Sequence, residues 1–354
     1  MAAAANLPKF SAHPIVQAPM AGGAANPRLA AAVAASGGFG FLAAGYKTPE
    51  AMYEEIRQLR DQSAQPFGVN VFLPQPAATD PSAVAVYAEQ LAGEEAWYGV
   101  LLGDPDAGPD DAYEAKVAIL LEDPVPMVSF TFGCPARKVL DAFRKAGTYT
   151  VVTVTTVSEA LAAEAAGADA VCVQGMEAGG HRGTHRDEPL LDGTGDGLLA
   201  LLPQVREAVA LPLIAAGGLM RGGQVAAVLA AGADAAQLGT AFLVCPESGA
   251  SPLHKQALTD PVFTRTEMTR AFSGRPARGL VNRFVREHGR YAPPGYPQVH
   301  HLTAPLRKAA AAAGDAQGMA LWAGQGHRLA REESAGRLVE LLVEEMRAAR
   351  EVAA

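Results

Sequence analysis

Pro212-Leu-Ile-Ala-Ala-Gly-Gly-Leu219 and, one Ala-rich segment later, Ala235-Ala-Gln-Leu-Gly-Thr240 are short apolar runs that each end in glycine. Between them Gly222–Ala231 has helical composition. A strand that returns beside itself through a helix makes a parallel pair, and parallel strands covered on both faces read as continuous rather than alternating apolar runs. Working outward toward the N-terminus, the same unit recurs. Pro14–Met20 precedes a helix near Pro27–Ser36, and Gly38–Ala44 precedes Pro49–Asp61. Phe67–Phe72 precedes a long stretch, Leu73 to Asp123, expected to hold two helices and a loop. Val125–Phe132 precedes Ala136–Ala146, Thr150–Thr155 precedes Ser158–Ala166, and Ala170–Gln174 is the sixth strand. With Pro212–Ala216 and Ala235–Gly239 the count reaches eight, which fits a closed (β/α)8 barrel of the α/β class. A doubly wound open sheet would show a G-x-G-x-x-G turn after strand one. Met20-Ala-Gly-Gly-Ala24 lacks that spacing, and no acidic residue ends strand two.

Past the eighth strand the character changes. Residues 1–245 are read as the barrel. Pro246 to Met319 is rich in Pro, Gly, Arg and aromatic residues and shows no clear strand, so 246–320 is read as a smaller, mainly helical lid or substrate domain. Glu332–Val352 is amphipathic, with Leu338, Leu341, Leu342 and Met346 on one face. Residues 321–354 are therefore expected to end in a helix packed back on the barrel.

The 354-residue chain is 49% hydrophobic and 19% charged, with a formal net charge of −8. That balance argues against a nucleic-acid partner, though a few local cations can still draw an anionic small molecule. Cys134, Cys172 and Cys245 fit no metal spacing and no disulfide framework, which suits a reducing cytoplasm. Met1 to Phe10 has no leader pattern, and no apolar run reaches the roughly 18 residues of a membrane span.

In such barrels chemistry is built at the C-terminal strand ends. Gly217 and Gly218 let the backbone approach a ligand closely, and Gly239 and Thr240 can turn N–H groups toward a phosphate. Tight βα turns alone would explain the same glycines. After strand six, Glu177, His181, Arg182, His185 and Arg186 fall among Gly179, Gly180 and Gly183. A histidine there is suited to proton transfer near neutral pH. A solvated polar loop is the alternative. Zinc held by Glu177, His181 and His185 lacks an evident fourth ligand, so no metal is expected. Tyr291, Tyr296, His300, His301, Arg307 and Lys308 form a polar-aromatic cluster in the lid region, where a Tyr and a Lys or Arg could close over an anion.

Five strings, in order, resemble the nitronate monooxygenases, formerly called 2-nitropropane dioxygenases. They are Gln17-Ala-Pro-Met-Ala-Gly-Gly23, Gly68-Val-Asn-Val-Phe72, Glu177-Ala-Gly-Gly-His-Arg-Gly183, Ala216-Gly-Gly-Leu219 and Ala236-Gln-Leu-Gly-Thr-Ala-Phe242. The resemblance spans about residues 14–310, and the third string is the specific one. It implies a metal-free FMN barrel that oxidises alkyl nitronates, such as propionate 3-nitronate, with O2 to a carbonyl compound and nitrite. By resemblance, Asn70, Gln174, Gly179, Gly218, Gln237, Leu238, Gly239 and Thr240 contact FMN, and Ala18, Pro19, Met20, Gly180 and Gly217 complete the expected cofactor set. His181 falls on the family's catalytic histidine. The segment Tyr296 to Lys308 resembles the substrate side, with Tyr296 and Lys308 as the expected contacts. The expected partners are a small anionic nitronate and O2, with neither nucleic acid nor membrane; a homodimer is compatible with the sequence. The nearest rival by resemblance is the FMN- and NADH-dependent enoyl-acyl-carrier-protein reductase, with a similar G-G-H loop. A flavin-binding regulator without turnover is the third reading.

Overall fold

A computed structural model describes residues 10–75, 80–107, 111–187 and 195–353. The stretch before residue 10, read above as carrying no leader, lies outside them. Eight parallel strands form the barrel: β1 Ile15–Gln17, β2 Gly40–Ala43, β3 Phe67–Phe72, β4 Met127–Thr131, β5 Tyr149–Val154, β6 Ala170–Gln174, β8 Leu213–Ala216 and β9 Ala235–Leu238. The order β1-β9-β8-β6-β5-β4-β3-β2 runs round the sheet. The ends meet where Gln17 N donates to Phe39 O and Phe39 N donates to Ile15 O. The chain is thus a (β/α)8 barrel.

The helices start where the sequence supplies a cap. Asn26, Thr48, Asp80 and Ser251 each place a side-chain acceptor over the first turn, with proline at the next position, in helices α1 Pro27–Ala35, α2 Pro49–Gln62, α3 Pro81–Gln90 and α11 Pro252–Thr259. Inside the barrel Val16, Phe39, Phe41, Met127, Val151, Cys172 and Ile214 pack together. A larger layer, including Ile15, Val69, Val128, Val152, Val171 and Leu213, lies between strands and helices. The interior is therefore a filled core, and a ligand must sit at its mouth.

Three expectations change. The Leu73–Asp123 stretch holds three described helices, α3, α4 Ala92–Tyr98 and α5 Tyr113–Glu122, where two were expected. The lid region contains two strands, β10 Thr266–Thr269 and β11 Ala277–Leu280, where none was expected. Each is four residues long and carries charge, so neither shows an apolar run. Their sheet is completed by β7, Gly180–His181, which pairs antiparallel with β11 through Ala277–His181 and Arg278–Gly180. Two residues of the segment read as a loop after strand six thus form a strand of the lid's sheet.

The final helix, α14 Ala335–Ala353, packs against α9 Gly222–Ala230 and α1. Leu338, Val339, Leu342, Val343 and Met346 are buried there, and Leu341 is half-buried.

Candidate active site

A cavity of about 630 Å³ opens at the C-terminal ends of the barrel strands, roofed by residues from the lid region. That volume lies within the usual range for a small-molecule or cofactor site. Of the expected site residues, Ala18, Pro19, Met20, Asn70, Gln174, Gly179, Gly180, His181, Gly217, Gly218, Gln237, Gly239, Thr240 and Lys308 line it. Leu238 does not: its side chain is buried in the strand–helix layer, and its carbonyl accepts from Ala18 N at 2.8 Å. Tyr296 stands just behind the lining, its ring 5.7 Å from that of His181.

The floor is polar. Asn70 Nδ2 donates to Ser129 Oγ at 2.9 Å and Thr131 Oγ1 at 3.0 Å, which fixes its amide at the end of β3. Gln174 holds the β7 segment: Nε2 donates to His181 O at 3.1 Å, and Oε1 accepts from Gly183 N at 2.8 Å. Gly217 and Gly218 have φ of +129° and +68°, which L side chains rarely adopt, so this turn requires glycine. Beside it the Thr240 hydroxyl accepts from Gly324 N at 2.9 Å and keeps its own proton to donate.

Several polar residues of the strand-six loop are structural. The Glu177 carboxylate accepts from Leu198 N at 2.9 and 3.0 Å, at the start of α8 Leu198–Ala208. His185 Nε2 bonds Thr153 O at 2.9 Å, and its backbone N–H donates to Glu159 Oε1 at 2.7 Å. Arg182 is buried and donates to Gln174 O. Among the described residues, Glu177, His181 and His185 do not gather as metal ligands.

His181 lines the cavity. Its ring lies among Phe132, Tyr296 and Trp322, and Nε2 meets Ser273 Oγ at 2.9 Å. Burial, then the charges of Arg275 and Arg307, push its pKa down to about 3, so the imidazole is neutral at neutral pH. Arg275 is wholly buried, with its guanidinium 4.1 Å over the Phe132 ring, and it bonds Gln75 Oε1 at 2.7 Å and Thr184 Oγ1 at 3.1 Å. Arg307 lines the cavity half-buried, and Lys308 is exposed. A chain with net negative charge thus presents a cationic pocket.

Sequence reading missed Tyr46, Phe132, Ser273, Arg275 and Trp322. Ser273-Gly-Arg-Pro276 carried a turn signal that marked the place without its role. The aromatic positions gave none, because their neighbours come from remote parts of the chain.

Residues 5–345 match the family model for nitronate monooxygenase. The chain belongs to the nitronate monooxygenase family. It is 41% identical over 346 residues to the nitronate monooxygenase of Pseudomonas aeruginosa, covering 95% of this chain and 96% of the relative. A probable nitronate monooxygenase of Bacillus subtilis is 38% identical over 339 residues, covering 92% and 93%. Among solved structures, nitroalkane oxidase from Streptomyces ansochromogenes is 68% identical with a TM-score of 0.96, covering 98% of this chain and 99% of that one. FabK from Thermotoga maritima is 28% identical with a TM-score of 0.76, covering 98% and 96%. An enoyl reductase domain from Bacillus amyloliquefaciens, 12% identical with a TM-score of 0.63, shares the fold alone. The family membership makes the chain an enzyme of the oxidoreductase class and favours the monooxygenase resemblance over the reductase one. No helix among the described residues is long and apolar enough to cross a membrane.

Proposed function

We propose that this enzyme binds FMN and oxidises alkyl nitronates with O2, giving a carbonyl compound and nitrite. The observation that carries this reading is the placement of His181, held by Ser273 at 2.9 Å, in a cavity whose charged lining residues among those described are the cations Arg307 and Lys308. Such a pocket favours a small anion and offers an unprotonated imidazole beside it.

The residues present suit a flavin phosphate and ring. The Gly217–Gly218 turn and the Gly239–Thr240 turn line the cavity, where their backbone N–H groups would meet a phosphate. Asn70, Gln174 and Gln237 supply amide groups for a ring edge, and Ala18, Pro19, Met20, Gly179 and Gly180 supply close, small or flat walls. Bound there, FMN supplies the two-electron redox chemistry and the reaction with O2. The chain's own residues bind and orient the nitronate, shield it from water and move a proton. For a neutral nitroalkane we assign proton removal to His181. For a substrate already in the nitronate form, His181 acts as a hydrogen-bond partner. On the substrate side we assign Tyr296 and a cation of α13 Gln298–Ala312, with Arg307 better placed than Lys308 because it is half-buried against the cavity. In domain terms, 1–245 carries the cofactor, 246–320 covers the substrate and 321–354 braces the barrel. Three free thiols suit a cytoplasmic setting.

Purified protein should release FMN on denaturation, and with propionate 3-nitronate it should form nitrite as O2 is consumed. FAD or no flavin after reconstitution would overturn the cofactor assignment. NADH oxidation with an enoyl thioester and no nitrite would overturn the reaction.

A further inference from the structure

Among the described residues, Tyr46, Ala112 and Phe132 are the non-glycine positions with left-handed φ, at +65°, +52° and +74°. Tyr46 and Phe132 line the cavity, and Ala112 follows Asp111. A bulky residue in this region is strained and persists only where its surroundings over-determine it. The surroundings of Tyr46 do so. Its N–H donates to Asp111 Oδ1 at 2.8 Å. The second oxygen of Asp111 lies 2.7 Å from Lys116 Nζ. Lys116 is fully buried in α5 and also donates to Ala44 O at 2.9 Å. Residues 44 and 46 are thus held by one ion pair reaching across from α5.

The held side chain lines the cavity. The Tyr46 ring stacks on His300 of α13, with centroids 4.4 Å apart and planes 5° apart. Its hydroxyl meets that of Tyr296 at 3.3 Å. On its other side His300 is fixed by Arg307, whose Nη2 donates to His300 O at 2.8 Å and lies 3.3 Å from Nδ1. The Tyr46–His300 stack is thus one of the contacts through which barrel and lid meet, and it stands beside the pocket's cation.

We propose that Asp111, together with Lys116, is a positioning residue for substrate binding: it locks Tyr46 in a left-handed backbone so that the phenol ring orders His300 and Arg307 along the wall that receives the nitronate. The proposal rests on the nitronate reading for the identity of the ligand. The ion pair itself lies one residue layer back and touches no reacting atom.

The test uses the flavin-loaded enzyme and four variants: Asp111→Ala paired with Lys116→Met to avoid a stranded buried cation, Asp111→Asn, Tyr46→Asn, and Tyr46→Asn combined with Asp111→Asn. Asparagine tolerates left-handed backbone, so Tyr46→Asn removes the ring without adding strain. Three quantities are measured besides the melting temperature: KM and kcat with propionate 3-nitronate, and the dissociation constant for 3-nitropropionate by calorimetry. Asp111→Ala/Lys116→Met and Tyr46→Asn should each raise KM and the dissociation constant about tenfold, the weight of one stacking or hydrogen-bond contact, with kcat nearly unchanged. Asp111→Asn keeps an acceptor for the Tyr46 N–H and should show a smaller rise. Tyr46→Asn combined with Asp111→Asn should bind no worse than Tyr46→Asn alone, because Asp111 acts through the ring. Additive losses, unchanged binding in a folded Asp111→Ala/Lys116→Met protein, or a fall in kcat with constant KM would each overturn the proposal. Should the unmodified enzyme bind 3-nitropropionate yet form no nitrite, the reaction assignment fails while calorimetry still decides the role of Asp111.

Discussion

Removing an α-proton from a nitroalkane asks for a base, whereas a nitronate has already lost it, and the two substrates separate the work of His181. General-base catalysis is worth about 10²–10⁴-fold, and a hydrogen bond to a charged group about 1.5–3 kcal/mol, or roughly 10- to 150-fold. His181→Asn should therefore cripple nitroalkane turnover and spare much of the nitronate turnover, with the flavin spectrum unchanged. Equal losses on both substrates would remove the base role. The imidazole is neutral down to about pH 3, because burial, Arg275 and Arg307 all disfavour its cation. Its protonation should then produce no fall in kcat/KM for nitroalkanes near pH 6.5, the ordinary histidine value; a limb there that vanishes in His181→Asn would contradict the buried, cation-flanked setting. At the other end of the pocket, Arg307→Met should raise KM for propionate 3-nitronate more than for an alkyl nitronate without a carboxylate. Lys308→Met, at an exposed position, should change that ratio little. The position of His181 was legible because glycines framed it at the end of a buried run. Its partners Ser273 and Arg275 were not, since nothing local in a Ser-Gly-Arg-Pro turn says which remote side chain it will meet.

Between α9 and α14 the close approach depends on Gly222. A Cβ there would lie 2.2 Å from Leu342 O and 2.5 Å from Met346 N, and backbone cannot yield as a flexible side chain would. The Gly222 N–H donates to Glu345 Oε2 at 2.7 Å, joining the two helices. Gly222→Val should lower stability by about 1–3 kcal/mol or more, the usual cost of overpacking, seen as a lower melting temperature with FMN binding kept at low temperature. A melting temperature equal to that of the unmodified protein would show that α14 is dispensable to the barrel. Elements of this kind were legible: α14 declared its apolar face by spacing, and barrel strands declared themselves as unbroken apolar runs between capped helices. Strands β10 and β11 were hidden. Thr266-Glu-Met-Thr269 and Ala277-Arg-Gly-Leu280 are too short and too polar for periodicity to register, and β11's second neighbour is β7, about a hundred residues earlier in the chain.

Across the whole molecule, acid should act in two stages. His181, His254 and His300 have pKa values pushed down to about 3, 4 and 2, burial being the first cause for each. Each lies below the ordinary value of 6.5, so the unfolded chain binds more protons as pH falls beneath it, and stability drops progressively from there. Glu94 follows lower down. Burial alone would raise its pKa, but Arg283 and His288 outweigh that and hold it at about 2, against 4.5 ordinarily. Its contribution is full above 4.5 and is lost as pH falls toward 2. Because Glu94 belongs to α4 and Arg283 to α12 Arg283–His288, this contact ties the strand-three insertion to the lid region. Thermal unfolding against pH should show a decline beginning near 6.5. His254→Gln should flatten it between about 6.5 and 4, and Glu94→Gln should flatten only the part below 4.5; a profile level from pH 7 to 4 would refute the histidine account. The pairing of β7 with β11 carries a different kind of consequence. The proposed base is stitched to the substrate cover, so the two are inherited as one module. Transplanting residues 246–320 from a relative with another substrate range should misplace His181 unless 175–183 travels with them, and a chimera exchanging both segments should recover the turnover that the single exchange loses.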